Sequence, residues 1–290
     1  MADRPTPDEI KKRHEESRRN AIESFPFPRI ECAGDQALAA WQNFVTSGRG
    51  APVVVGHYDA LARIAQMPDQ PWLKRKSTQE VLELAGRIRH PDDLIVERTI
   101  ELAKARERLQ QRRGDRPEMQ LPDFVQAVIP DISLNAESPE ELIARMLTEF
   151  EPEVGEWPTT VPEIPHLSVA VDLRSGAPMA RVYLVTIPTN DWTTIPAYLR
   201  FGNWNSCPAP EYHVAALRSW RDRFGAELIG LGHDVMNIRV KRRPTSRAEA
   251  LELAREQYSY CSDIVEQGVG SLSALAAALM ESDWWYFWWD

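Results

Sequence analysis

Apolar positions change their spacing along the chain, and the changes divide it into segments. Up to about residue 24 charge dominates: Asp8, Glu9, Lys11, Lys12 and Arg13 are followed by Glu15, Glu16, Arg18 and Arg19, a mixed run that suits an exposed helix or a frayed tail. Pro26 and Pro28 prevent a helix from continuing, so folded structure is expected from residue 25. APVVVGHYD places β-branched valines between Pro52 and Gly56, a short buried strand that ends in a turn, and residues 58–67 return to helical spacing. The segment PDDLIVERTIELAKARERLQQRRG begins at Pro91 with Asp92 and Asp93 and closes on Arg112, Arg113 and Gly114. Acid at the start, base at the end and glycine beyond match a helix dipole and its cap. SPEELIARMLTEF, with Ser138 as N-cap and Pro139 at the first helical position, predicts another helix. Pro152, Pro158, Pro162 and Pro165, together with Gly155, mark a linker or a long crossing loop.

Beyond residue 165 the pattern favours strands. LSVAVDL alternates over 167–173, Gly176 and Pro178 mark a turn, and ARVYLVTI alternates over 180–187, which predicts a hairpin. PAPEYHVAALRSWRDRFG reads as a helix with Val214, Leu217, Trp220 and Phe224 on one side and Gly225 as its stop. AELIGL and DVMNIRV are two strands joined at residues 232–234, TSRAEALELAREQYSYC is a helix with a capping box at Ser246 and Glu249, and SLSALAAALMES is a short helix. The order β β α β β α α β lacks regular βαβ alternation. It predicts an α+β fold: a mostly antiparallel sheet with helices packed on one face, preceded by a more helical N-terminal subdomain. The expected divisions are a charged segment over 1–24, a mainly helical subdomain with a short strand over 25–160, and an α+β domain over 161–290.

The closing run WWYFWWD sharpens this picture. As a strand it sets Trp284, Tyr286 and Trp288 on one face and Trp285, Phe287 and Trp289 on the other. One exposed trio would present roughly 450 to 750 Å² of aromatic surface, at or above the largest apolar patch of a soluble monomer, roughly 300 to 600 Å². Both faces should therefore be covered, and a central strand is the expected position.

Composition adds mainly exclusions. Over 290 residues there are 34 basic and 43 acidic side chains, a net charge of −9, and neither half carries a basic excess. Phosphate-neutralising proteins show the opposite balance, so nucleic acid is not an expected partner. No apolar stretch approaches the roughly 18 to 20 residues of a spanning helix, and the first residues lack the apolar core of a secretory signal. Cys32, Cys207 and Cys261 are widely spaced without a CxxC pair, consistent with reduced thiols in the cytoplasm.

Chemistry-bearing residues gather in two places. NWNSCPAPEYH carries Asn203, Trp204, Asn205, Cys207 and His213, with the cysteine and histidine six apart across a helix start. Such a pair can make an activated thiol where the imidazole reaches the sulfur; simple packing of the cysteine is the alternative. Asn203 and Asn205 suit a tight turn bonding its own backbone, or a polar rim around an aromatic platform. In the later helix Glu256, followed by Asp263 just beyond, could act as a general base if buried, although an exposed glutamate is the ordinary expectation. His57, His90, His166 and His233 stand singly; no metal-ligand spacing, GxGxxG or GxxxxGK occurs, so no metal and no cofactor is expected. GVGS at 268–271 reads as a loop leading to a helix N-cap, and Lys241, Arg242 and Arg243 are most simply solvated, although they are the best local anion site.

The stretches FGNWNSCPAPEYHVAALRSWRDRFGAELIGL, RPTSRAEALELAREQYSYCSDIVEQG and LAAALMESDWWYFWWD together resemble a bacterial family catalogued as domain of unknown function 4253, over about residues 180–290. PVVVG near residue 53 is similar to a short strand found upstream in longer members. The resemblance implies that Trp204, Cys207, Pro208, Trp220, Glu256, Gln257 and Tyr258 sit at motif positions with the terminal aromatics, and it implies no reaction. A protein-binding module of the immunity or defence-accessory kind, with protein partners or self-association, is the leading functional expectation. The alternative is an enzyme or small-ligand binder with a pocket between the NWNSC loop and the AREQY helix, and a phage or particle structural component is a third.

Overall fold

A computed structural model of the protein describes residues 6–69, 76–100 and 153–290. The chain forms two compact units, one of Met1–His90 with Val154–Asp290 and one of Pro91–Glu153. In the second unit residues 92–100 are helical, as the acid-first pattern there predicts. The rest of the segment expected to be helical there and the helix expected from Ser138 lie outside the described residues.

The first unit is α+β. Its six-stranded sheet has the order β1 (Arg29–Cys32), β3 (Val182–Ile187), β2 (Ala51–Gly56), β4 (Glu227–Leu231), β5 (Val235–Arg239) and β6 (Trp284–Trp288). All neighbours are antiparallel except β2 and β4. β2 is buried throughout, which explains why APVVVG is continuously apolar instead of alternating. Because β1 and β2 belong to this sheet, the chain does not divide at residue 160; the second unit leaves after His90 and the chain returns at Val154.

Helix α1 (Pro7–Ser24) begins on a capping box in which Thr6 accepts from the Glu9 N–H and Glu9 accepts from the Thr6 N–H. Its charged run is therefore helical, and Gln66 donates to Ser17 at 3.1 Å, tying it to α3 (Tyr58–Gln66). Helices α2 (Ala37–Ser47) and α4 (Thr78–Ala85) complete the part before residue 91. After a five-residue helix α5 (Ile195–Leu199) come α6 (Pro210–Phe224), α7 (Arg247–Tyr260), a π-helical turn at Ile264–Val269 and α8 (Leu272–Glu281). Ser246 caps α7 through the Glu249 N–H, while the Glu249 carboxylate reaches back to Thr245 instead of closing the box on Ser246. Ser271 caps α8, so GVGS is the loop to an N-cap.

The expected hairpin over 167–187 does not form. Residues Ser168–Ala170 make one 3-10 turn, a lone bridge joins Val171 to Pro178, and β3 pairs with β1 and β2. The reason lies in β5: the Asn237 side chain accepts from the Val169 N–H at 3.3 Å and donates to Ser168 Oγ at 2.9 Å, fastening the segment across the sheet. Gly230 accommodates it, because a Cβ there would stand 2.7 Å from Val169 Cγ2. The apolar alternation of LSVAVDL records burial against a sheet face, not a pleat.

The aromatic strand is at the edge of the sheet, not at its centre. Its faces are covered all the same. Trp285 and Phe287 pack against Trp220, with Phe224 edge-on to Trp285 and Tyr260 edge-on to Phe287, so α6 and α7 close that side. On the other side Trp284 joins a core with Trp41 of α2, Leu167, Val169 and Ile229, and His166 stacks on its ring at 5.6 Å.

Candidate functional site

Two left-handed asparagines shape the loop before α6. Asn203 (φ 70°) and Asn205 (φ 45°) flank Trp204, and the turn is closed by backbone bonds from the Asn203 N–H to Pro208 O (2.9 Å) and from the Cys207 N–H to Trp204 O (2.8 Å). The Asn205 amide donates to the Asp290 carbonyl, and the Asp290 N–H donates to Asp263 at 3.0 Å. This loop and the aromatic strand's end are thereby fastened together.

Together with α1 and α3 they enclose a cleft of about 640 Å³. Gly202, Trp204 and Trp289 form one wall, Arg18 and His14 come from α1, Arg63 from α3, and His233 with Asp234 from the β4–β5 turn. Arg18 pairs with Asp59 at 3.0 Å, and Arg63 lies 2.9 Å from His233 Nε2, so the guanidinium groups are held in place. Trp289 is 1% exposed, and its indole N–H has no hydrogen-bond partner among the described residues.

Behind that wall lies a buried polar chain. Cys207 Sγ is 3.5 Å from His213 Nε2, His213 Nδ1 contacts the Tyr260 hydroxyl, and that hydroxyl donates to Met236 Sδ at 3.6 Å. The cysteine is 3% exposed and the histidine and tyrosine not at all. Sequence spacing proposed the Cys207 and His213 pair, and α6 realises it by carrying His213 one turn inward. Tyr260 enters from α7, a contact that no local spacing indicates.

Glu256 is buried, contrary to the exposed position ordinarily expected, but it does not join the cleft. It accepts from His90 Nε2 (3.1 Å), Trp220 Nε1 (2.5 Å) and Arg223 (2.7 Å), forming a separate cluster between α6, α7 and His90. Burial pushes its carboxyl upward, but the hydrogen bond and charge of His90, with Arg223, outweigh this and hold it below the usual carboxylate range. Burial raises the Cys261 thiol to about 12 while its S–H is fixed on Trp288 O at 2.9 Å. Lys241 and Arg242 pair with Glu227 and Glu249, and Arg243 donates to Glu281 O, so this triplet is spent on structure.

Of the residues singled out in the sequence, Trp204 lines the cleft, Asn205 and Asp263 bond to Asp290 beside it, Cys207 and His213 are buried behind it, and Glu256 stands apart. The cleft opens from the NWNSC loop toward α1 and α3. His14, Arg18 and Arg63 were hidden in the sequence because charged helical runs usually face solvent. Among the described residues no group of three His, Cys, Asp or Glu side chains could hold a metal ion, and no helix is long and apolar enough to cross a membrane.

Comparison with curated proteins and with solved structures gives no match. A family model does match: residues 183–290, from β3 through the aromatic strand, correspond to the family described as domain of unknown function 4253, the region in which the sequence resembles it.

Proposed function

We propose that this protein binds a small planar anion in the cleft between α1, α3 and the loop at 202–207. The observation that carries the reading is the lining: Arg63, His14 and His233, with Arg18 held on Asp59, stand around Trp204, and Asp234 and Asp290 share the lining. A guanidinium suits carboxylate or phosphate oxygens and the Trp204 indole suits a flat apolar body. A volume of about 640 Å³ is that of a small-molecule site. The protein-binding alternative draws on the net charge of −9, whereas this reading draws on a lined concavity. Free thiols at Cys32, Cys207 and Cys261 support a reducing, cytoplasmic setting.

The test uses 1-naphthyl phosphate, a planar aromatic anion, in isothermal titration calorimetry. Binding in the micromolar to submillimolar range is expected, with Arg63→Ala and Trp204→Ala each weakening it by about tenfold, or roughly 1.4 kcal/mol. Melting temperatures of the two variants serve as the folding control. Absence of binding up to millimolar probe, or binding indifferent to both substitutions, would overturn the reading.

A further inference from the structure

The two edges of the sheet are finished differently. On β6 the outward backbone groups are taken by the chain's own polar atoms: the Trp284 N–H donates to Ser282 Oγ (3.0 Å), Trp288 O accepts from Cys261 (2.9 Å) and the Asp290 N–H donates to Asp263 (3.0 Å). β1 has β3 on one side, and among the described residues no strand pairs with its other side. The Thr186 N–H donates to Pro28 O, just before the paired residues. The antiparallel alternation therefore turns the backbone groups of Ile30 and Cys32 toward β3 and those of Arg29 and Glu31 outward. Among the described residues no loop or side chain takes these outward groups. The N–H that Pro28 lacks would have faced β3, so the proline does not blunt the open edge.

Charges on an edge strand ordinarily discourage pairing. Here one charge of each sign occupies the two outward positions, Arg29 and Glu31, on one face of the strand, and Ile30, 39% exposed, lies on the other. For β1 set antiparallel to β1 of a second copy, the outward groups permit Arg29 opposite Arg29, Glu31 opposite Glu31, or each opposite the other. The first two bring like charges together, which destabilises a sheet. The third pairs opposite charges on both sides of a twofold axis, with each pair exchanging both backbone hydrogen bonds and the two Ile30 side chains meeting at the axis. Glu31 pairs with Arg181 at 3.1 Å, and its side chain is still 50% exposed, open to a second cation.

We propose that the protein self-associates through β1, two copies joining their sheets across a twofold axis at Ile30 into one continuous sheet. The occupant of the edge is a second copy because the Arg29–Ile30–Glu31 segment is complementary in charge to itself when reversed. The pairing is short: the 3-10 turn at Gly34–Gln36 takes the Ala33 carbonyl and ends the strand. The dimer is accordingly weak, with a Kd on the order of 10 to 100 μM. No residue of β1 lines the cleft, so this association and the ligand reading stand or fall separately.

Sedimentation velocity of the full chain, from about 5 to about 500 μM, should show a monomer–dimer equilibrium that shifts with concentration. Arg29→Glu and Glu31→Arg each set like charges opposite one another and should weaken the dimer by at least about tenfold. Mixed together, the two variants place opposite charges across the axis again and should recover the parent's affinity to within about threefold. Both positions are exposed, so the fold is kept, and melting temperatures of the two variants check this. Ile30→Cys should form an intermolecular disulfide under mild oxidation, whereas Arg29→Cys, displaced from the axis, should not. A parent protein that is monomeric at every concentration overturns the proposal and leaves the edge to water or to a strand of another protein. A dimer that neither charge reversal weakens, or a mixture no tighter than its components, overturns it as well and assigns the association to another surface.

Discussion

Replacing Glu256 by alanine tests the buried cluster on which α6 and α7 are joined. The carboxylate accepts from His90, Trp220 and Arg223, and the residue is 6% exposed. Removing it strands the His90 and Trp220 donors in the interior, at about 1 to 3 kcal/mol each. The Arg223 side chain, 41% exposed, can turn to water and adds little. The sum, about 2 to 6 kcal/mol, brackets the usual cost of breaking a buried charged pair, about 3 to 5 kcal/mol. Against a total stability of about 5 to 15 kcal/mol this is a large fraction, and for a chain of this size it lowers Tm by roughly 4 to 24 °C. Glu256→Gln keeps one acceptor oxygen and should cost about half as much. Urea titration followed by tryptophan fluorescence reports directly, since Trp220 is a ligand of the carboxylate. The pH dependence has a definite sign. A carboxyl held below its ordinary 4.5 in the fold stabilises fully above that value and loses its contribution as pH falls through the lowered folded value. The gap between the parent protein and Glu256→Gln should therefore narrow below about pH 4.5. A Glu256→Ala variant within about 0.5 kcal/mol of the parent, the range of an exposed surface change, would refute the argument.

Deleting residues 284–290 removes Trp284, Trp285, Phe287 and Trp289, none more than 4% exposed. At about 3 to 5 kcal/mol per large aromatic, the loss is on the order of the whole stability, so calorimetry should find no cooperative melt; a soluble truncation that melts cooperatively would contradict this. Gly202→Ala sets a Cβ 2.0 Å from Pro208 O at a φ of 112°, and urea melts should show a loss of at least about 2 kcal/mol. On the alkaline side, burial raises both Cys261 and Tyr286 to about 12. Their stabilisation is complete below the ordinary thiol and phenol values of 9.0 and 10.0 and is lost as pH rises toward 12, so Tm should decline over that interval and decline less in Cys261→Ala.

Local patterns determined much of this protein. The helices α6, α7 and α8, the β4–β5 hairpin and the buried valines of β2 follow from apolar period, caps and glycine stops, because these signals act within a few residues of one another. The turn at Asn203 and Asn205 was legible for the same reason, as was the requirement that the six terminal aromatics be covered. Tertiary structure decided what depends on partners distant in the chain. It put the aromatic strand at an edge, since coverage of a strand's faces says nothing about how many neighbours hydrogen-bond to it. It turned LSVAVDL from a strand into a cover for Asn237, and drew β1 and β2 into a sheet shared with residues 182–288. The cleft was illegible because its cations sit on α1 and α3, over a hundred residues before Trp204, in runs whose charge alone reads as solvated surface. Glu256 was misread for a related reason: a charged side chain enters the interior only where its counterparts meet it, and those counterparts, His90 and Arg223, are brought together by the fold.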